Sequence, residues 1–392
     1  MARDYASLDD YLAETDRDGY LLHAGADLAD QIYLSGFDAP DPFVTLYMPQ
    51  ETAVLVSGLE YGRAKNEARV DAVRRHADYD LHGKAVEYGR TEAARRVLAE
   101  FLAEFDASAV ATNARFPLAV ADDLRESGVE VTPDREDHVG AVRAVKTDEE
   151  VEAIRAAQRA NESAMRAAES LLAEARIGDD VLVHGDGPLT AERVKEEIEV
   201  ALLREGCALD ETIVACGPDA AEPHNRGSGP LRPNEPIVID VFPRSKATKY
   251  HADMTRTLVR GTPSRAAREF YDLTERAFEA AFDALEPGAT GADVHAAACE
   301  VFEGAGYPTL RSDPDAETGY IHSTGHGVGL DVHEAPGLHE GADDPLRPGH
   351  VVTIEPGLYD PDVGGVRIED LAVVTEDGYE DLTDYPIEFV VS

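Results

Sequence analysis

The C-terminal half of this 392-residue chain repeats itself, and each copy ends an apolar run on an acid. In the first copy, Leu-Arg-Pro at 231–233 leads into a run that stops at Asp240, and in the second, Leu-Arg-Pro at 346–348 leads into a run that stops at Glu355. The step from leucine to acid is nine residues both times (231 to 240, 346 to 355). Further upstream, matching residues recur at an offset of 100: Thr190 and Thr290, Val194 and Val294, Gly206 and Gly306. The duplication predicts two related halves around a pseudo-twofold axis.

Each copy carries a second acid, Asp253 in the first and Glu369 in the second, next to strand-like segments. Two related halves of this kind place four carboxylates on one axis. Four carboxylates cannot share a buried site without cations, because each unpaired buried charge is strongly disfavoured. The repeat therefore predicts a metal site that includes Asp240 and Glu355 beside the second pair.

Taken singly, each acid also has an ordinary structural explanation. Asp240 would cap a turn before Pro243, and Asp253 would cap a helix. Glu355 precedes Pro356-Gly357, and Glu369 with Asp370 would form a surface pair. The shared nine-residue spacing and the repeat favour the metal site over these explanations.

Histidines add a nitrogen ligand to this set. His322, His326 and His333 lie in one segment whose glycines at 325, 327 and 329 exclude a helix, so the four-residue step between the first two is not a helical metal pair. A strand is predicted instead, with His326 pointing inward. His224 occupies the corresponding loop of the first half. We expect His224, His326 and His333 to flank the carboxylate strands.

The remaining organisation indicates two domains in an α+β protein. Residues 20–135 alternate strand-like and helical segments, which indicates an α/β domain, and they hold no phosphate-binding glycine motif. Thr147 and Glu150 form a capping-box pattern at the start of a long helix. We assign residues 1–140 to the first domain and 148–392 to the second. The predicted strands are 31–34, 52–56 and 109–112, and the predicted helices are 91–105, 148–176, 190–205, 264–285 and 291–305.

These residues resemble the pita-bread metallopeptidases, which include methionine aminopeptidase, aminopeptidase P and prolidase. The segments 325–336, 353–359 and 365–370 are similar to motifs of the Xaa-Pro branch. The resemblance covers the whole chain and implies a creatinase-like N-terminal domain before a pita-bread domain. The five metal ligands that it implies are Asp240, Asp253, His326, Glu355 and Glu369.

The resemblance also implies roles for further residues. Glu355 would relay protons, while His224 and His333 would be catalytic and would stabilise the reacting group. Arg367 would orient nearby carboxylates, Glu369 among them. The residues expected to contact substrate are His224, His322, His333, Tyr359 and Arg367.

Carboxylate oxygens with one imidazole suit Mn²⁺, Co²⁺, Fe²⁺ or Zn²⁺, and five ligands suffice for two ions if acids bridge them. We expect two divalent ions, Mn²⁺ or Co²⁺ first and Zn²⁺ or Fe²⁺ as alternatives. The expected substrate is a peptide with proline in second position, and the sequence leaves open a dipeptidase or an aminopeptidase. The alternatives are a creatinase-like C–N hydrolase and a metal-free binding protein. The family's homodimer, with the N-terminal domain helping to close the partner's site, is also expected.

One feature departs from the family pattern. The family usually has glycine two residues after its first aspartate and its second aspartate eleven residues on. Here Phe242 occupies the glycine position, and the gap is thirteen residues (240 to 253). We expect the longer hairpin to alter substrate preference.

Composition excludes several other functions. The chain has 78 acidic and 36 basic residues, a net charge of −42, and only six lysines. This charge speaks against nucleic acid as a partner and predicts adaptation to high salt, where repulsion is screened. The three cysteines form no close pair, and no run approaches the ~18 apolar residues of a membrane span. We expect a cytoplasmic protein without a signal peptide or membrane association.

Overall fold

The computed structural model describes residues 3–391. The chain divides into two compact units, between Arg143 and Ala144. Both units mix helices with sheets, so the predicted α+β class is confirmed. Within residues 3–391, no helix is long and apolar enough to span a bilayer.

The N-terminal unit is built on a six-stranded mixed sheet with the strand order β4-β3-β2-β1-β5-β6. Its strands are β1 (Gly19–Ala24), β2 (Phe43–Met48), β3 (Glu51–Val56), β4 (Ala72–Arg75), β5 (Ala109–Thr112) and β6 (Glu130–Pro133). Its helices are α1 (Ala6–Glu14), α2 (Ala29–Ser35), α3 (Tyr61–Glu67), α4 (Leu81–Tyr88), α5 (Arg90–Glu104) and α6 (Leu118–Glu126), and α7 (His138–Ala144) follows them at the junction with the second unit. The predicted strands at 52–56 and 109–112 and the helix at 91–105 are confirmed.

The strand predicted at 31–34 is wrong, because these residues belong to α2. Short apolar runs do not separate strand from helix by periodicity alone. Tertiary contacts decide here: Gln31 donates its side-chain amide to the carbonyl of Phe43 at 2.9 Å, and Asp30 pairs with Arg143 at 2.8 Å. Gly36 then ends the helix in the left-handed conformation, with φ at 65°.

The C-terminal unit contains long helices in two pairs. These are α8 (Asp148–Glu174), α9 (Ala191–Arg204), α10 (Arg265–Asp283) and α11 (Gly291–Gly304). Helix α8 packs on α9, and α10 packs on α11. The predicted capping box is confirmed: Thr147 accepts from the backbone N–H of Glu150, whose carboxylate accepts from that of Thr147.

The predicted repeat is visible in how α9 and α11 begin. Thr190 caps α9 and forms an isolated bridge with Pro230, while Thr290 caps α11 and bridges Pro345. Both prolines directly precede the Leu-Arg-Pro segments of the duplication. The two halves therefore share local geometry as well as sequence spacing.

Small sheets complete this unit. The first-half strands are β7 (Arg176–Ile177), β8 (Leu182–His184), β9 (Gly187–Pro188), β10 (Cys207–Ala208), β11 (Thr212–Cys216), β12 (Ile237–Val241), β13 (Arg244–Ser245) and β14 (Met254–Arg260). The second-half strands are β15 (Gly325–Gly327), β16 (Glu334–Leu338), β17 (Val351–Ile354), β18 (Gly357–Asp360), β19 (Gly364–Arg367), β20 (Asp370–Thr375), β21 (Gly378–Asp381) and β22 (Val390–Val391). The two main sheets have the orders β11-β12-β14-β22 and β16-β15-β17-β20-β21. Each has its own apolar core against its helix pair.

Candidate metal centre

The two main sheets meet where the duplicated acids lie. Asp240 pairs in register with Thr255 across β12 and β14, and Asp253 immediately precedes β14. Thr255 also forms an isolated bridge with Glu369, just before β20. Asp240 and Glu369 therefore flank Thr255 along one line of backbone pairing, and Asp253 lies two residues before Thr255 in the chain.

Glu355 and His326 reach the same place from the second sheet. Glu355 follows β17, and its backbone N–H donates to the carbonyl of Thr324 at 2.8 Å. His326 lies in the middle of β15, so the predicted strand is confirmed. Its Nε2 lies 3.3 Å from Oε1 of Glu355 and 3.8 Å from Oδ2 of Asp253.

These side chains open onto one cavity of about 570 Å³. All five predicted metal ligands line it, and four of the five residues expected to contact substrate do so as well. Those four are His224, His322, His333 and Arg367. The fifth, Tyr359, is buried behind the wall with 1% of its surface exposed, and it contacts His322 and Arg367 instead.

The donor set fits a cation. One ligand atom from each of Asp253, His326 and Glu369 lies within 4.8 Å of the others. Oδ1 of Asp240 and Oδ1 of Asp253 are buried and have no hydrogen-bond partner among residues 3–391. Buried carboxylate oxygens are otherwise almost always satisfied, so these two atoms are suited to bind a positively charged ligand.

The electrostatics point the same way. Burial raises the pKa of Asp253 and of Glu369 well above the usual carboxylate range, and the neighbouring acids raise both further. Burial likewise raises the pKa of Glu355 to about 7, against the opposing effect of Arg367. Burial lowers the pKa of His326 and keeps its imidazole neutral, as a metal ligand must be. A divalent cation bound here would supply positive charge that favours the ionised forms of Asp253, Glu355 and Glu369.

Arg367 organises one side of the cavity. Its Nη2 donates to Oδ2 of Asp240 at 2.6 Å, and its Nη1 donates to the hydroxyl of Tyr359 at 2.9 Å. Arg367 contacts the carboxylate of Asp240 directly and reaches that of Glu369 through a hydroxyl. Arg367 reaches Thr255 through Nε at 3.2 Å, and the Thr255 hydroxyl donates to Glu369 at 2.7 Å. The single hydroxyl of Thr255 relays this contact, since Thr255 also forms a backbone bridge with Glu369.

Thr255 and Arg256 hold Glu369 in place, and the sequence analysis did not single them out as site residues. Side chains alternate along β14, so they leave the strand on opposite faces. Thr255 holds the carboxylate of Glu369, while Arg256 donates to the backbone carbonyl of Glu369 at 2.8 Å and pairs with Asp370 at 2.8 Å. The place of Thr255 and Arg256 shortly after Asp253, in a strand-like run, was the available signal.

The histidines differ in their surroundings. His322 makes a hydrogen bond with the hydroxyl of Tyr359 at 2.9 Å, and burial, reinforced by Arg367, lowers its pKa to about 3. The rings of His326 and His333 lie 4.2 Å apart at 66°. Burial, and then His326, lowers the pKa of His333. His224 lines the cavity beside Pro223, whose carbonyl accepts from Arg367 at 3.3 Å.

Comparison with known families gives this site a context. Residues 152–376 match the model of metallopeptidase family M24, and residues 5–157 match the creatinase/prolidase N-terminal domain. The M24 match covers more than half of the chain. The chain belongs to metallopeptidase family M24, with a creatinase-type domain before its pita-bread domain.

Several characterised or named proteins are similar to the chain. It is 35% identical over 252 residues to a probable dipeptidase PepE of Mycobacterium tuberculosis, which covers 64% of this chain and 61% of that protein. It is 34% identical over 254 residues to an Xaa-Pro dipeptidase of Lactobacillus delbrueckii subsp. lactis, covering 64% of this chain and 62% of that protein. The alignments thus span less than two thirds of the length of these relatives.

Solved structures resemble nearly the whole chain. An Xaa-Pro dipeptidase from Bacillus anthracis superimposes with a TM-score of 0.83 at 25% identity, over 99% of each chain. A prolidase from Pyrococcus furiosus gives a TM-score of 0.77 at 26% identity, over 96% of this chain and 99% of that one. These likenesses confirm the predicted two-part fold.

Proposed function

We propose that this protein is a metal-dependent peptidase that hydrolyses the bond between a first residue and a following proline. The observation that carries the proposal is the convergence of four carboxylates and one neutral imidazole on a single cavity. Membership of the M24 family supports peptidase chemistry. Relatives named Xaa-Pro dipeptidase support proline in the second position.

In this proposal, two divalent ions are held by Asp240, Asp253, His326, Glu355 and Glu369. When bound, they supply Lewis acidity toward the scissile carbonyl and an acidified water. Mn²⁺ and Co²⁺ match the mixed oxygen and nitrogen donor set. The protein's own contribution is to keep these ligands buried and close together.

Glu355 acts as the proton carrier in this proposal. It takes a proton from the attacking water and passes it to the proline nitrogen, which leaves poorly unless protonated. His224 and His333 line the same cavity and donate hydrogen bonds to the substrate carbonyl as negative charge develops on it. Tyr359 positions His322 and Arg367 from behind the wall.

The test is hydrolysis of Ala-Pro by the purified chain supplied with Mn²⁺ or Co²⁺. We expect cleavage that is faster than cleavage of Ala-Ala and that stops when a chelator removes the metal. The variant Asp253→Asn serves as the matched control, because it keeps the side-chain volume and removes one anionic ligand.

The same assay separates the alternatives. A creatinase-like hydrolase would leave Ala-Pro intact and cleave a guanidino substrate. A binding protein would show no stoichiometric metal after dialysis against either ion. Either result would overturn the proposed peptidase activity.

A further inference from the structure

Arg226 brings a cation to the cavity that holds the four acids. The position of its loop is fixed by close packing on β11: the Arg226 carbonyl accepts from the backbone N–H of Val214 at 3.1 Å. The next residue, Gly227, has φ at 69°, and a Cβ there would lie 1.9 Å from the carbonyl oxygen of Val214. Only glycine allows this approach, so the backbone of Arg226 is held at the cavity wall.

The side chain of Arg226 rests on Phe242, the residue that departs from the family pattern. The guanidinium carbon lies 5.6 Å from the centre of the Phe242 ring, within the range of a cation–π contact. Arg226 also pairs with Glu211. Both partners of that pair are exposed, 44% for Arg226 and 62% for Glu211, and exposed pairs of this kind contribute little stability. Replacing Glu211 by another carboxylate as the partner of Arg226 therefore costs little free energy.

The other cationic side chain in the cavity wall is fully engaged. Arg367 is 3% exposed, and its guanidinium nitrogens hold Asp240, Tyr359 and Thr255. Moving Arg367 to a substrate would leave buried partners unsatisfied. Arg226 is under no such constraint.

We propose that Arg226, supported by Phe242, releases Glu211 and pairs instead with the C-terminal carboxylate of an Xaa-Pro dipeptide. This inference rests on the proposed function and deepens it. The free carboxylate of a dipeptide lies on the proline next to the scissile bond, in a cavity that already contains four acids. A planar guanidinium matches such a carboxylate with two parallel hydrogen bonds. The chain is then a dipeptidase, because longer peptides carry a neutral amide at that point.

The experiment compares Ala-Pro, which ends in a carboxylate, with Ala-Pro amide, which ends in a neutral amide. In the metal-loaded wild type we expect a lower KM for Ala-Pro. In Arg226→Gln we expect the KM for Ala-Pro to rise about tenfold, the effect of losing a charged hydrogen bond, with a smaller change in kcat. The KM for the amide should stay near its wild-type value. Arg226→Lys should restore part of the preference for Ala-Pro over the amide, because lysine keeps the positive charge but lacks the planar guanidinium.

Arg193→Gln is the matched control. The side chain of Arg193 is 45% exposed, close to the value for Arg226, and it pairs with Glu196 and Glu197 on the solvent-exposed side of α9. Its loss should leave both KM values unchanged. If Arg226→Gln leaves the ratio of the two KM values unaltered while the wild type cleaves Ala-Pro, this inference is overturned and the proposed function stands. If the metal-loaded wild type cleaves neither compound, the proposed function fails and the inference fails with it.

Discussion

Replacing Glu355 with glutamine tests the chemistry of the site with little change in packing. One carboxylate oxygen of Glu355 lies 3.3 Å from Nε2 of His326, and the Thr353 hydroxyl donates to the same oxygen at 3.3 Å. The amide keeps one oxygen for these contacts, and the side chain is only 16% exposed. The variant therefore removes the proton acceptor and keeps the shape of the wall.

Loss of a positioned acid–base group lowers a rate by about 10²–10⁴-fold. We expect Glu355→Gln to reduce kcat on Ala-Pro by that factor with a much smaller change in KM, since the group acts on the proton and not on substrate binding. Initial rates are measured on protein loaded with metal, and elemental analysis confirms the loading. Glu376→Gln, in the exposed turn between β20 and β21, is the control and should keep full activity. A metal-loaded Glu355→Gln protein with near-normal kcat would show that the proton-relay assignment is wrong.

Other measurements test the metal, the thiols and the surface charge. Metal affinity should fall as the pH decreases from ~8 to ~5, because the raised pKa values of Asp253 and Glu369 mean that protons compete with the cation for both carboxylates. Calorimetric titration with Mn²⁺ that gives equal affinity at both pH values would contradict this prediction. The thiols of Cys216 and Cys299 should react slowly with Ellman's reagent in the native protein and rapidly in guanidinium chloride, because burial raises the pKa of both to about 11. Fast reaction of the native protein would show that these thiols are accessible. The net charge of −42 predicts a higher thermal midpoint in ~3 M than in ~0.1 M KCl, and the reverse order would refute adaptation to high salt.

Much of the candidate site was readable from the sequence because the duplication is local. Equal spacing from a Leu-Arg-Pro segment to Asp240 and to Glu355 identified two equivalent strands, β12 and β17, with one acid near the end of each. The capping threonines of α9 and α11 carry the same information, since capping depends on residues three positions apart. Helices in the second unit were predicted well for the same reason.

Contacts between segments that are distant in the chain could not be predicted from the sequence. The helix α2 was mistaken for a strand because its buried polar residues are satisfied by Phe43 and Arg143, which lie far away in the chain. Tyr359 was expected to contact substrate, but only the pairing of β18 with β19 shows that it supports His322 and Arg367 from behind.

The sequence by itself determined the residue types of the candidate ligands and their pairing by duplication, because these depend on residue identity and short-range spacing. Tertiary structure alone decided which groups share a contact. Thr255 links Arg367 to Glu369 only because β14 lies beside both halves of the repeat. Arg226 meets Phe242 only because a glycine lets its loop approach β11. Such contacts join segments that are far apart in the chain, and no local pattern specifies them.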